Sequence, residues 1–361
     1  MVKLIHGADF HLDSPFSGLP PEQAALRRGE QRELLDRLAN LARSERADLV
    51  LLSGDLLDGG RVYRETAQAL ARALGDIPCP VFIAPGNHDF YSPRSVYATL
   101  DWPDNVHIFT ADSLESVPLP SLNCVVHGRA FTDSHRAASP LAGFRAGRED
   151  GRIHLMCLHG EVALASDYGP ITEEDIAASG LDYLALGHVH RASGLRRAGD
   201  VFWAWPGCPE GRGFDETGDK GVLVVEADRG HVQARFQPLC RRRYHRLEAD
   251  VTGADPLAAI LSVLPAGAEA DIVRIALTGE GNAPDLPALE RALAGRCYAL
   301  TLTDRTRLPR DLWQRREEDT LTGLFLRTMW DKCQAQPEDR TLQLAVRFGV
   351  AALENGEDIA L

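Results

Sequence analysis

The amino-acid sequence predicts an α/β fold: a layered sandwich across residues 1–240, followed by a smaller α/β domain across 241–361. Three features point there. Short apolar, β-prone runs alternate with helical stretches through the first part of the chain, the pattern of strands buried beneath helices. The pattern then turns mostly β, and strand–helix alternation restarts after Leu239, at the basic run Arg241-Arg242-Arg243. With 361 residues, 44% of them hydrophobic and 25% charged, the chain has the length for two domains and ordinary material for their cores.

In chain order, residues 2–7 read as the first strand. Pro20-Pro21 open a helix on which Leu34, Leu35, Leu38, Leu41 and Ala42 share one face. Strands are predicted at 48–53 and 80–84 around a helix at 64–74. Past a looser region rich in Pro and Ser, strands follow at 123–126, 153–158 and 182–186. Thr172 and Asp175 form a capping box that starts a short helix between the last two. Strands at 201–205, 221–226 and 231–236 complete the larger domain. In the smaller one, strands at 244–251, 271–277 and 298–303 flank helices opened by the cap pair Asp255-Pro256 and, further on, near Asp285. Two helices close the chain. Leu321, Leu324, Phe325, Met329 and Trp330 line the first, and Leu342, Ala345 and Phe348 the second; both stripes read as domain core. No internal repeat is present.

Composition excludes several classes. No apolar run approaches the roughly 18 residues needed to cross a bilayer. The N-terminus, MVKLIHGADF, lacks the charged and apolar regions of a cleaved leader. A cytoplasmic protein with no membrane association is therefore expected. The seven cysteines are scattered, with no C-x-x-C pair, and fit buried thiols in a reducing compartment better than a disulfide framework. The net charge of −13 repels polyanions. Only three of the 39 basic residues are lysine, so a nucleic-acid substrate would be met by a local arginine surface or by bound cations. Arg241–243 with Arg246, and the group Arg305, Arg307, Arg310, Arg315 and Arg316, are candidates for such a surface, balanced evenly against plain solvated charge.

Five polar clusters each follow the carboxyl end of a predicted strand: Asp9-Phe10-His11, Gly54-Asp55, Gly86-Asn87-His88-Asp89, His159-Gly160 and Gly187-His188-Val189-His190. In open α/β sheets such loops converge on one crevice. Seven donors would then meet: Asp9, His11, Asp55, Asn87, His159, His188 and His190. Imidazole and carboxylate suit Mn, Fe or Zn, and the lack of nearby thiols argues against a structural zinc site. Seven donors are too many for one transition-metal ion and suit two that share a carboxylate. Taken singly, each cluster has a plainer reading: a capping loop for Asp9-x-His11, a tight turn for Gly86-Asn87, two rings on one strand face for His188-x-His190. Their conjunction, in this order and always at strand ends, reads as a metal centre. His6, His107, His127, His135, His154, His231 and His245 lie outside these clusters and read as core or surface residues.

In this order, D-x-H, G-D, G-N-H-D, H and G-H-x-H resemble the calcineurin-like metallophosphoesterases, from Asp9 to His190. The opening HGADFHLDSPF, the segment PGCPEGRGFDETGDKG and the stretch DRT…TLTGLFLRTM look like the SbcD-like and YhaO-like DNA repair exonucleases. The resemblance implies a four-layer α/β/β/α sandwich with a small C-terminal capping domain. It implies two divalent cations, Mn foremost with Fe and Zn as alternatives. Asp9, His11 and His190 would hold the first, Asn87, His159 and His188 the second, and Asp55 would bridge them. His88 would face the phosphate as a catalytic group rather than a ligand. Asp58, three residues after Asp55, stands where archaeal and eukaryotic members carry histidine, and it is assigned no role. Asp89 reads as a turn cap in preference to a partner of His88. Arg212, in Gly211-Arg212-Gly213-Phe214, is a candidate phosphate contact against an equal expectation of a structural loop role.

The function these features imply is Mn-dependent hydrolysis of DNA phosphodiesters in repair, exo- or endonucleolytic. A hydroxide shared by two ions about 3.5–4 Å apart would attack phosphorus in line. The resemblance adds a homodimer and an SbcC-type coiled-coil ATPase partner. A phosphodiesterase or nucleotide phosphatase acting on small substrates suits the −13 charge better, but has no evident use for the second domain. A scaffold without catalysis is opposed by the complete donor set and His88.

Overall fold

In the computed structural model, which describes residues 1–17, 19–59, 62–336 and 339–355, the chain divides into two units, 1–243 and from Tyr244 onward. The first unit opens with β1 (Val2–Gly7), α1 (Pro21–Glu45), β2 (Leu49–Leu52), α2 (Arg64–Gly75), β3 (Val81–Ile83), α3 (Val96–Thr99), β4 (Val106–Ile108), β5 (Glu115–Leu119) and β6 (Cys124–Gly128). It continues with β7 (Ile153–His159), β8 (Glu161–Val162), β9 (Pro170–Ile171), α4 (Glu173–Ala178), β10 (Tyr183–Gly187), β11 (Arg196–Ala198), β12 (Val201–Ala204), β13 (Gly221–Asp228) and β14 (His231–Pro238). One six-stranded sheet runs β14–β13–β1–β2–β3–β4, parallel from β1 to β4. A second runs β11–β12–β10–β7–β6–β5, parallel from β12 to β6.

The side-chain period of two sorts each central strand between two cores. Ile5, Val50, Leu52, Val81 and Ile83 face α1 and α2, where Leu34, Leu35, Leu38, Ala42, Leu70 and Leu74 meet them. Leu4, Leu49, Leu51 and Phe82 point the other way, onto Cys157, Leu155, Tyr183 and Ala185 of the second sheet. Met156, Leu158, Leu184 and Leu186 cover that sheet's far face with Ile176 of α4. The Thr172 hydroxyl caps α4 by accepting from the Asp175 N–H at 3.0 Å. Strands β4 and β5 escape the sequence reading. They are short, half-exposed edge strands, and Pro118 in β5 breaks the β-prone pattern there.

Polar side chains buried in this unit tie distant segments together. His6, fully buried on β1, reaches the second sheet: the Tyr183 hydroxyl donates to its Nδ1 at 2.8 Å, and its Nε2–H lies 3.2 Å from the Leu186 carbonyl. Ser53 adds a parallel link, donating to the Ala185 carbonyl at 3.1 Å. A second anchor is ionic. Glu30 on α1 binds Arg27 and Arg242, each at 2.5 Å, and Arg27 also holds Glu210 at 3.0 Å. Glu210 accepts the backbone N–H of Arg241 and Arg242 as well. The Arg241–Arg243 run is therefore not a free basic patch. Arg242 is buried, Arg241 pairs with Glu33, and Arg243 pairs with Asp219.

The second unit holds a parallel sheet of β15 (Tyr244–Asp250), β16 (Ile272–Thr278) and β17 (Ala299–Asp304), with α5 (Pro256–Val263) and α6 (Leu286–Ala292) between successive strands. Asp255 and Asp285 cap these helices through Ala258 N–H and Ala288 N–H. After α7 (Arg310–Gln314), helices α8 (Leu321–Ala335) and α9 (Arg340–Asn355) share a separate small core of Leu326, Met329, Cys333, Val346 and Val350. The expected stripe on α8 is thus displaced: Leu321 and Leu324 are 72% and 55% exposed, and Ala345 of α9 is exposed as well. The seven cysteines are free thiols. No helix among the described residues is long and apolar enough to cross a membrane.

Burial pushes the His6 imidazole down to about 3, with the Leu186 carbonyl only partly opposing. Above the ordinary value of 6.5 both folded and unfolded chains keep this ring neutral, and the stability is fully present. As pH falls from there toward about 3 only the unfolded chain takes up the proton, so stability is lost. His6→Gln should be less stable than the native chain at pH 7.5, yet lose less on acidification, by up to about 1.4 kcal/mol per pH unit. Urea unfolding at pH 7.5, 6.0 and 5.0 measures this, and parallel curves for the two proteins would rule it out. Glu30→Gln, which leaves two buried guanidinium groups short of their carboxylate, should cost about 3–5 kcal/mol in the same assay.

Candidate metal centre

The loops that carry the polar clusters extend the parallel pairing of β1 and β2 beyond the strand ends. Asp9 N–H donates to Gly54 O at 3.0 Å, His11 N–H to Asp55 O at 2.9 Å, and Asp58 N–H to Leu12 O at 2.9 Å. This register sets Asp9 and His11 beside Asp55 and Asp58. Asp9, His11, Asp55 and His188 all adopt positive φ, at 55°, 45°, 51° and 95°. Side chains uncommonly adopt this region, because it brings Cβ against the backbone, and Asp and His are among those that do so most readily. Gly54, at φ 83°, has no such latitude for a side chain: a Cβ there would lie 2.6 Å from His159 Nδ1 and 2.8 Å from the Gly86 backbone.

Asp89 holds these loops together. Its buried carboxylate accepts the N–H groups of Leu56 at 2.7 Å, Gly86 at 2.7 Å, and Asp55 and Leu57 at 3.2 Å, and the Tyr97 hydroxyl at 2.6 Å. It therefore caps the loops after β2 and β3 and leaves His88 untouched.

All nine side chains singled out in the sequence come together. Donor atoms of Asp9, His11 and His190 lie within 4.8 Å of one another, as do those of Asp9, Asp55 and His159. Asn87 Oδ1 is 2.9 Å from His159 Nε2, and the His188 and His159 rings meet edge to face at 5.3 Å. The Asp9 carboxylate also accepts the His188 N–H at 3.0 Å. His88 stands at the rim with its side chain half exposed, its ring 4.9 Å from that of His11 and its N–H donated to Asp55 Oδ1 at 2.9 Å. Arg212 lies beside His190, bonded to Glu216 at 3.0 Å and 3.6 Å from Asp58.

The hydrogen bonds turn nitrogen and oxygen atoms of several clusters toward one another. Burial lowers the His11 imidazole to about 4, so the ring is neutral near pH 7, and its one proton sits at Nδ1 facing Asp58 Oδ1 at 3.0 Å. His190 faces Glu216 Oε1 through Nδ1 at 2.7 Å, with Arg212 Nη2 3.1 Å from the same nitrogen. The Nε2 atoms of His11 and His190 meet across 3.1 Å. His159 repeats the pattern: Nδ1–H donates to Ser53 O at 2.9 Å, leaving Nε2 among Asn87 Oδ1 and, at 3.4 Å, Asp55 Oδ2. Burial would lower this imidazole, but the charges of Asp55 and Asp9 reverse it and raise the ring to about 9. Burial lifts the Asp9 carboxyl to about 6. The same burial on Asp55 is outweighed by His159 and His11, which hold it well below the carboxylate range. Converging carboxylates, an amide oxygen and imidazole lone pairs, with no thiol, form a donor set that fits Mn, Fe or Zn.

Four residues that the sequence reading left unassigned complete the surroundings. Glu216 and Asp58 accept from donor histidines. The Trp205 indole N–H bridges the Gly160 and Gly187 carbonyls at 3.2 and 3.1 Å, joining the ends of β7 and β10, and Lys220 Nζ donates to the His190 carbonyl at 3.1 Å. Two of them carried a signal: Lys220 as one of three lysines in the chain, and Asp58 as the departure from a relative's histidine.

Comparison with known proteins accords with this geometry. Residues 2–192 match the model of the calcineurin-like phosphoesterase family. The chain is 29% identical to the uncharacterized metallophosphoesterase YhaO of Bacillus subtilis, over 73% of this chain and 66% of that one. It is 27% identical to the DNA double-strand break repair protein Mre11 of Aeropyrum pernix, over 70% and 64%. Identity to the SbcD component of the nuclease SbcCD of Bacillus subtilis is 23%, over 63% and 67%. The chain thus spans about two thirds of the length of the relatives it matches. With more than half of its residues inside that family model, this chain belongs to the calcineurin-like phosphoesterases, with relatives among the YhaO, SbcD and Mre11 proteins.

Proposed function

We propose that this protein is a metal-dependent phosphodiesterase that cleaves DNA, with Mn as the working ion. The observation that carries the reading is the convergence of carboxylate and imidazole side chains from five strand ends, with Nε2 of His11 and of His190 3.1 Å apart. Relatives named as a nuclease component and as a double-strand break repair protein support DNA as the substrate. Asp9, His11 and His190 would hold one ion, Asn87, His159 and His188 the second, with Asp55 between them. Two bound divalent ions supply Lewis acidity toward the phosphoryl oxygens and a water of lowered pKa.

The chain's own part is to orient and to move protons. The buried Asp55 offers one carboxylate to both halves of the cluster, and Asp89 keeps its loop from shifting. His88, at the rim, reaches a bound phosphodiester without competing for the ions, and its imidazole passes a proton to the departing alkoxide. The second unit is assigned to substrate selection. We extend the reading, on the same relatives, to action in repair as a homodimer beside an SbcC-type ATPase. The −13 charge favours one other reading, a phosphodiesterase for small esters.

His88→Ala should keep two Mn²⁺ ions and lose about 10²–10⁴-fold in hydrolysis of a chromogenic phosphodiester. Asp55→Ala should lose metal, measured by elemental analysis after desalting. Near-normal turnover by His88→Ala refutes its role. Purified protein with Mn²⁺ should degrade linear duplex DNA, and chelation should abolish this. Cleavage of a cyclic nucleotide alone would replace the nuclease reading with the small-ester one.

A further inference from the structure

Two carboxylates outside the proposed donor set share one arrangement. Asp58 Oδ1 lies 3.0 Å from Nδ1 of His11, and Glu216 Oε1 lies 2.7 Å from Nδ1 of His190. These are the two rings whose Nε2 atoms face each other at 3.1 Å. Arg212 spans the carboxylates: Nη2 donates to Glu216 Oε1 at 3.0 Å and lies 3.1 Å from His190 Nδ1, whose shorter contact is the one to Glu216, and Nη1 stands 3.6 Å from Asp58 Oδ1 and 3.5 Å from the Ser14 hydroxyl. The Arg212 N–H donates to the second oxygen of Glu216 at 2.7 Å, so the loop and its acid are mutually fixed. Upstream, Glu210 anchors the same loop to α1 through the buried Arg27. Asp58 is fixed from the other side by its N–H bond to Leu12.

We infer that Asp58, Glu216 and Arg212 form a brace of positioning residues that fixes both imidazoles as Nδ1–H tautomers and aims their Nε2 atoms at a single cation. The inference rests on the metal-centre reading above and adds to it the groups that make one of the two ion positions strong. A neutral imidazole ligates through whichever nitrogen its other hydrogen bond leaves free, and a carboxylate on the far nitrogen both selects that tautomer and makes the ligand more basic. Two such rings, inclined at 69° to each other, with one arginine between their acids give a pre-organised frame on one side of the cluster. His159 lacks this support, since its Nδ1–H goes to a backbone carbonyl. The brace therefore serves the ion of Asp9, His11 and His190 and not its neighbour. Arg212 acts here on metal geometry, and the phosphate contact expected from its sequence position is the competing assignment.

The test uses the full-length chain stripped of metal and titrated with Mn²⁺, with free Mn²⁺ read by electron paramagnetic resonance. The native protein should bind two ions. Asp58→Asn and Glu216→Gln, which keep side-chain volume, should each weaken one ion by about 10–100-fold and leave the other within twofold. Arg212→Lys should weaken the same ion several-fold. The Mn²⁺ needed for half-maximal hydrolysis should rise by the factor seen in binding. Equal weakening of both ions, accompanied by a lower melting temperature of the metal-free protein, would make the three residues plain fold supports and overturn the brace. So would unchanged affinities in both carboxylate variants, or a stoichiometry of one at saturation, which would make Asp58 itself a ligand. Unchanged Mn²⁺ affinity in Arg212→Lys with a raised KM returns that residue to substrate contact and removes it from the brace. If Glu216→Gln does not fold, Asp58→Asn, on the other arm, decides the matter alone. A native protein that binds fewer than two ions would overturn the metal-centre reading itself, independently of the variants.

Discussion

With the Nδ1 atom of each ring turned to a carboxylate, His11 and His190 meet through Nε2 atoms 3.1 Å apart, where the His11 side chain is almost wholly buried. Like dipoles held that closely repel, and burial removes the water that would screen them. Nε2 of His159 stands beside Asn87 Oδ1 and Asp55 Oδ2 at 2.9 and 3.4 Å. A protein tolerates such convergence when something positive resolves it, and the His159 ring shows the fallback, taking a proton well above the usual histidine range because two carboxylates surround it. The surrounding structure can be understood as what is required to keep mutually repelling acceptors in place.

That requirement explains where the backbone is unusual. Four of the donors sit at positive φ, a conformation costing on the order of 1–3 kcal/mol at each such residue. The compensating contacts reach the loops' own peptide groups rather than the donor atoms. Asp89 collects four N–H groups, Trp205 and Lys220 collect the carbonyls of Gly160, Gly187 and His190, and Gln31 on α1 donates to the His11 carbonyl at 3.1 Å. Behind the loops, His6 and Ser53 pin the first sheet to the second at the level where the strands end. The donors are thus held largely through the backbone of their loops, while Asp9 and Asp55 each also accept one backbone N–H from a neighbouring loop.

How much of this could be read from the residues alone depended on whether the signal was local. Asp9-x-His11, Gly54-Asp55 and Gly187-His188-x-His190 were legible because each follows a run that must be a buried strand, and strand ends of a parallel sheet share one side. Glu216 was not legible, since the loop joining it to His190 has no periodicity and no motif that marks an acid as a histidine partner. Asp58 was noticed only as a departure from a relative's histidine, and its contact with His11 depends on loop pairing that no propensity encodes. The α8 face was misjudged for a related reason. Of the predicted stripe Met329 and, in part, Phe325 join the small core with Leu326 and Cys333, but Leu321 and Leu324 do not, and spacing cannot say which face a neighbouring helix will cover.

Charge gives the last step. The run Arg241–Arg243 invited a nucleic-acid reading, yet Arg242 is buried against Glu30, and Arg241 and Arg243 meet Glu33 and Asp219. Arg212 likewise faces Glu216 and Asp58. These arginines neutralise the protein's own acids, so they do little to offset the −13 excess that a polyanion meets on approach. The donor cluster adds to that repulsion, because Asp9, Asp55, Asp58 and Glu216 lie in or beside it. On the DNA reading, the sign of the field at the cluster must be reversed locally, and two divalent cations held by these carboxylates are charges of the right sign and size at the right place. Substrate attraction and bond cleavage would then depend on the same ions, which links how firmly the histidines are aimed to whether an acidic protein of this kind can engage DNA at all.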